Sequence, residues 1–77
     1  MRTADVRTVH LPMKILAFFI RNDDEELSIQ DVCDKFGVNY QSAQRALLRL
    51  NNNDWLDRRE VGNVSLYSIK PEALKDL

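Results

Sequence analysis

The chain has 77 residues with one cysteine and one histidine, and its 11 lysines and arginines nearly balance 12 aspartates and glutamates, leaving a net charge of −1. That length makes one domain, small enough that much of its apolar surface stays wet. An internal disulfide is excluded because Cys33 stands alone, and a metal site is disfavoured because His10 has no ligand cluster around it.

The longest apolar run, Ile15 to Ile20, is far too short to span a bilayer. Arg2, Asp5 and Arg7 precede no secretion-type apolar core, so a cytoplasmic protein with no membrane contact is expected. Residues 1–10 show no clear period and read as an N-terminal arm, which leaves 11–77 as the domain.

Helical spacing begins near Pro12, a residue suited to a first turn, and continues to about Asn22. Pro12, Met13, Leu16, Phe19 and Ile20 fall on one face, Ile15 lies at its edge, and Phe18 points away. Asp23 to Glu26 make a polar turn without calcium-loop spacing. Leu27 to Ile29 read as a very short strand. Ser28 with Asp31 resembles a capping box that opens a second helix, with Ile29, Val32, Cys33 and Phe36 as its apolar stripe. Gly37 stops that helix, because glycine takes the left-handed cap without strain.

Asn39 is a good N-cap for a third helix. Ala43, Ala46, Leu47 and Leu50 lie on its inner side. Gln41, Arg45, Leu48 and Arg49 lie on the outer side, with Gln44 on a flank. The run Asn51 to Asn53 followed by Asp54 ends it, since asparagines disfavour helix and accept left-handed turns. Gly62-Asn63 then makes a two-residue hairpin turn. Pairing about that turn sets Leu56 opposite Ile69, Arg58 opposite Tyr67, Arg59 opposite Leu66 and Val61 opposite Val64, and gathers Leu56, Tyr67 and Ile69 on one face. Pro71 opens a short terminal turn or helix to Leu77.

Charge is distributed unevenly. Asp23, Asp24, Glu25, Glu26, Asp31 and Asp34 crowd one stretch, whereas Arg45, Arg49, Arg58 and Arg59 lie in the second half. Such a field steers a polyanion to one face even when the total is near zero. Two helices joined through Gly37 form a helix-turn-helix, whose second helix presents its outward residues to the major groove. Those residues are Tyr40, Gln41, Gln44 and Arg45, with Arg49 a turn further on. Glutamine pairs with adenine through two hydrogen bonds, and arginine with guanine or a phosphate. The free N–H groups at the helix start are further phosphate donors.

The order helix, short strand, helix, helix, hairpin resembles the winged-helix regulators of the broad MarR and ArsR type. The stretch LSIQDVCDKFGVNYQSAQRALLRL is similar to their helix-turn-helix, and WLDRREVGNVSLYSIKPEAL to their wing and following helix. The resemblance covers Leu11 to Leu74. It implies an α+β winged-helix fold and a sequence-specific regulator, prokaryotic or viral, acting on double-stranded DNA. It implies that Asn39, Tyr40, Gln41, Gln44, Arg45 and Arg49 belong to the recognition helix and its cap, and that Arg58, Arg59 and Asn63 are wing positions touching phosphate or the minor groove. The wing tip departs from the family by holding Glu60 and Val61 rather than a basic cluster.

Competing readings of the same residues are simpler. Arg45 and Arg49 also suit a solvated helix face, and Arg58 and Arg59 suit protection of a sheet edge. Tyr40 also suits packing against the hairpin. Cys33 and Trp55 read as packing residues. No nucleophile, base and orienting group assemble around one His and one Cys, so neither an enzyme nor a small-molecule or cofactor site is expected. A homodimer would use Val6, Val9, Phe18, Leu74 and Leu77 as spare apolar surface. The alternative function is a winged-helix adaptor that binds protein, favoured by the low net charge and by outward Phe18 and Leu48.

Overall fold

The computed structural model describes residues 10–75. The arm expected over residues 1–10 therefore lies, except for His10, outside the described residues. So do Val6, Val9 and Leu77 of the expected dimer surface.

The first helix, α1 (Leu11–Arg21), has its proline in the first turn and ends where Asn22 donates from Nδ2 to the Phe18 carbonyl at 2.9 Å. Its buried residues are Leu11, Ile15 and Phe19, each four apart. The apolar face is thus centred on Ile15, not at its edge, and Met13, 70% exposed, lies on the far side with Ile20. The helix is apolar over most of its circumference, so spacing alone allows more than one buried arc. Phe18 corrects the sequence reading as well. It is half-buried, meeting Phe19 edge-on at 5.5 Å and Phe36 at 6.4 Å between ring centroids, with the Lys35 ammonium 4.8 Å from its own centroid.

After the acidic turn, β1 (Leu27–Ser28) runs directly into α2 (Ile29–Phe36). The capping box is complete: the Asp31 amide donates to Ser28 Oγ at 3.1 Å, and the Ser28 amide to Asp31 Oδ2 at 3.0 Å. Gly37 takes φ 66°, where its N–H and that of Val38 both reach the Cys33 carbonyl, at 2.9 and 3.2 Å. A residue with a Cβ would be strained there.

The third helix, α3 (Tyr40–Asn52), is capped by Asn39, whose Oδ1 accepts the Ser42 amide at 2.8 Å. Ala43, Ala46, Leu47 and Leu50 are buried. The helix continues through Asn51 and Asn52, and the left-handed residue is Asp54, at φ 65°, rather than an asparagine. Two amide side chains hold this exit: Asn53 Nδ2 bonds the Arg49 carbonyl at 2.9 Å and Asn51 Nδ2 the Leu56 carbonyl at 2.8 Å.

The hairpin joins β2 (Leu56–Val61) to β3 (Val64–Ile69) in the expected register. Of its two turn residues only Gly62 has positive φ, 61°, the pattern of a turn with glycine at the first central position. β1 adds to the other edge of β3, Leu27 opposite Tyr67 and Ser28 opposite Leu66, which gives the order β1-β3-β2. Leu27, Leu56, Tyr67 and Ile69 are buried on the inner face. Beyond Leu56 every residue of β2 is exposed, because the outer part of the hairpin leaves the body of the domain. The short α4 (Pro71–Lys75) returns Ala73 to the core. Among the described residues, four helices, of which α2 and α3 form a helix-turn-helix, and a three-stranded antiparallel sheet with a hairpin wing make this an α+β winged helix.

The position of the α1 face can be tested. Phe19→Ala should lower unfolding free energy by about 3–5 kcal/mol, as expected for a large core side chain. Met13→Ala should change it by no more than about 0.5 kcal/mol. Urea melts that gave equal losses for the two would contradict the placement of this helix.

Candidate nucleic-acid interface

The exposed side of α3 follows from its buried side. With Ala43, Ala46, Leu47 and Leu50 turned inward, residues 41, 44, 45 and 49 are forced outward, and all four are exposed. Gln41, Gln44, Arg45 and Leu48 line one shallow depression along this face. Leu48 is half-buried, not fully outward as its spacing suggested. Arg49 lies one turn beyond Arg45. Among the described residues, neither arginine is paired with a carboxylate. Tyr40, 52% exposed, stands at the start of the helix. The side-chain oxygen of Asn39 is committed to the cap, so any contact to an acceptor would use its amide nitrogen.

The hairpin arginines are arranged differently. Arg58 donates from Nε at 3.0 Å and from Nη2 at 2.7 Å to Glu60 Oε2, and Ser65 Oγ donates to the same oxygen at 2.8 Å. Arg59 forms a two-point bond with Glu26, Nε to Oε2 at 3.1 Å and Nη2 to Oε1 at 2.7 Å. Arg59, Leu66 and Ser28 lie in one row across the sheet, and Glu26 precedes Ser28 by two residues on the same face. Strands are spaced by about 4.8 Å, so this pair bridges roughly 10 Å over β3 and lies along the outer face of the sheet. Lys70, at the hairpin base, is 3.2 Å from Asp54 Oδ1 and 3.9 Å from Asp57 Oδ1. Asn63 is exposed at the tip. The structure therefore brings Tyr40, Gln41, Gln44, Arg45 and Arg49 together on one helix, and holds both wing arginines in internal ion pairs.

Electrostatics agree with that division. The hydrogen bond from Arg59 holds the Glu26 carboxyl below its ordinary range, and bonds from Ser65 and then Arg58 do the same for Glu60. Burial pushes the Tyr67 hydroxyl up, and the charges of Arg58 and Glu60 and the Tyr40 hydroxyl also act on it. The start of the hairpin packs against α3. The acidic residues expected to crowd one region, Asp23 to Glu26, Asp31 and Asp34, are exposed on the α1–β1 turn and on α2.

Glu26, Glu60 and Ser65 were not among the candidate residues of the sequence. Ser65 was within reach, since the hairpin register already sets it opposite Glu60. The Glu26–Arg59 pair was not, because its partners are 33 residues apart and meet only once β1 joins the sheet.

No protein-family model and no curated protein matches the chain. Solved structures do. Reduced HlyU from Vibrio cholerae N16961 superposes with a TM-score of 0.71 at 16% identity, covering 86% of this chain and 67% of HlyU. The transcriptional regulator BldR from Sulfolobus solfataricus gives 0.71 at 16% identity, over 87% of this chain and 48% of BldR. Sso10a-2, a DNA-binding protein from Sulfolobus solfataricus, gives 0.63 at 27% identity, over 78% of this chain and 63% of its own. The chain thus spans about half the length of BldR. With the helix-turn-helix and the three-stranded sheet already described, these superpositions give this chain the winged helix-turn-helix fold.

Proposed function

We propose that this chain is a sequence-specific double-stranded DNA-binding regulator of transcription, prokaryotic or viral, that inserts α3 into the major groove. The observation that carries the reading is the outward row of Gln41, Gln44, Arg45 and Arg49 on a helix whose opposite face is locked into the core. A helix so held presents base-reading side chains on a rigid support. Gln44 and Gln41 would read adenine, and Arg45 guanine or a phosphate. The fold is shared with a protein described as a transcriptional regulator and another described as DNA-binding, which supports the same reading. The role needs no catalytic group, cofactor or small ligand, and it fits a protein of the cytoplasm. Among the described residues, no helix is long and apolar enough to cross a membrane.

One recognition helix offers a small interface, and single modules bind weakly. The proposal therefore includes a homodimer on a two-fold symmetric site. Phe18 does not serve as its surface, being packed against Phe19 and Phe36. Leu74 is half-buried against the core. The exposed row on α1, Met13, Ala17 and Ile20, takes their place in the proposal. Sedimentation at micromolar concentration should give twice the chain mass, and a monomer with and without DNA would remove the dimer.

The rival is a protein-binding adaptor. It is favoured by the carboxylate pairing of the hairpin's basic side chains and by the net charge of −1. DNA titrations separate the two. Arg45→Ala should cost about 1–3 kcal/mol per half-site if the contact is to a base. Gln44→Ala should relax sequence preference more than it lowers affinity for random duplex. Thermal melts should show both variants folded, since neither side chain is in the core. Unchanged DNA binding in both would take α3 out of the major groove and leave the adaptor reading in place.

A further inference from the structure

We propose that Arg58 and Ser65 form an anion cradle for a backbone phosphate of duplex DNA, and that Glu60 fills this cradle in the free protein as a built-in phosphate mimic. The proposal rests on the DNA-binding reading above; to the wing arginine expected from the sequence it adds a hydroxyl donor and an internal competitor that controls access to it.

The geometry is that of an oxyanion site. Two donors from Arg58, at 3.0 and 2.7 Å, and the Ser65 hydroxyl, at 2.8 Å, converge on a single oxygen, Glu60 Oε2. Arginine forks and serine hydroxyls are the side chains that hold phosphate oxygens, because they point charge-assisted or neutral donors at one acceptor. The hairpin register builds the arrangement. Glu60 and Ser65 are directly opposite each other, and Arg58 precedes Glu60 by two residues, so all three project from the same face. That face carries Tyr67, and the strand that bears Arg58 and Glu60 packs at its base against the proposed recognition helix.

The occupant is exchangeable. The Arg58 and Glu60 side chains are 44% and 56% exposed, so an anion reaches the donors from solvent. An exposed ion pair is weak, and a polyanion that releases counterions on binding competes well with one carboxylate. The Glu60 carboxyl is held below its usual range by the Ser65 and Arg58 bonds, so it is ionised at neutral pH and competes there at full charge. Arg59 is a contrast. Both Glu26 oxygens are used, and the pair lies across the sheet on its other face, as a clamp between β2 and the turn before β1.

The test compares Glu60→Ala and Glu60→Gln with Glu25→Gln, which removes the same charge from an exposed turn position away from the cradle. Affinity for a random-sequence duplex is measured by fluorescence anisotropy at a series of salt concentrations. Both Glu60 variants should bind more tightly than Glu25→Gln by up to about fivefold, the worth of one exposed ion pair. The slope of log affinity against log salt should stay the same in the Glu60 variants, because the phosphate contact is made in the parent protein as well, and should flatten by about 0.9 when Arg58→Ala removes that contact. Adding Arg58→Ala or Ser65→Ala to Glu60→Ala should reduce the gain in affinity. In parallel, inorganic phosphate should shift the Arg58 Nε–H and Ser65 amide resonances of Glu60→Ala, and not those of Arg58→Ala/Glu60→Ala. Equal gains in the Glu60 and Glu25 variants, with no phosphate shifts, would overturn the cradle and leave DNA binding through α3 standing. Phosphate shifts at Arg58 with no DNA binding by any variant would overturn the DNA-binding reading and uphold the anion site.

Discussion

The burial of one side of α3 is the constraint from which the remaining geometry follows. Ala43 and Leu47 are fully enclosed, and the helix packs against α1, α2 and the start of the hairpin. Two of its inward residues are alanines, which let neighbouring helices approach closely, and Leu47 and Leu50, which follow them, are buried in the core. Rotation of the helix about its axis would bury Gln44 or Arg45 without partners, at a cost well above that of one lost apolar contact. The outward row is consequently as well determined as the core. A rigid helix face with free polar groups is what a reading element requires.

The cap chemistry fixes where that face begins. Gly37 stops α2 in the left-handed conformation, and the Asn39 side chain starts α3 within a few residues. The short connection leaves little freedom in the angle between the helices. At the other end, Asn51 and Asn53 bind carbonyls across the exit, while Asp54 makes the left-handed step. Trp55 half-covers the junction, and its carbonyl accepts the Lys70 amide at 3.0 Å, which ties the hairpin base together. The hairpin is therefore anchored at its base by apolar burial and at its middle by ion pairs.

Those ion pairs give the wing a different character from the helix. Arg58 and Arg59 carry charge, yet each already faces a carboxylate. A phosphate arriving at either must displace an internal partner, whereas Arg45 and Arg49 face no carboxylate among the described residues. In the proposed DNA-binding role, α3 would therefore make first contact, and any contribution of the wing would depend on exchange. It also accounts for a DNA-binding proposal that survives a net charge of −1: the acidic side chains are spent on the turn, on α2 and on neutralising the hairpin, not on the outward face of α3.

Local chemistry alone determined much of this protein. The capping box at Ser28, the glycine stop at Gly37, the Asn39 cap and the pairing about Gly62-Asn63 each depend on residues close in sequence, and each stands as the spacing predicts. The inward and outward faces of α3 were legible too, apart from the half-buried Leu48, because Ala43, Ala46, Leu47 and Leu50 share one side and Gln41, Gln44, Arg45 and Arg49 the other. Tertiary structure decided what local chemistry leaves degenerate. The nearly all-apolar α1 has several arcs to bury, and contact with its neighbours selected Leu11, Ile15 and Phe19 while turning Phe18 against Phe36. The engagement of Arg59 by Glu26 was equally hidden, since a two-residue strand has no pairing signal of its own and the ion pair exists only when β1 docks on β3. Short-range hydrogen bonds are written in adjacent residues, whereas the choice among apolar faces and the pairing of distant charges depend on distances that only the folded chain sets.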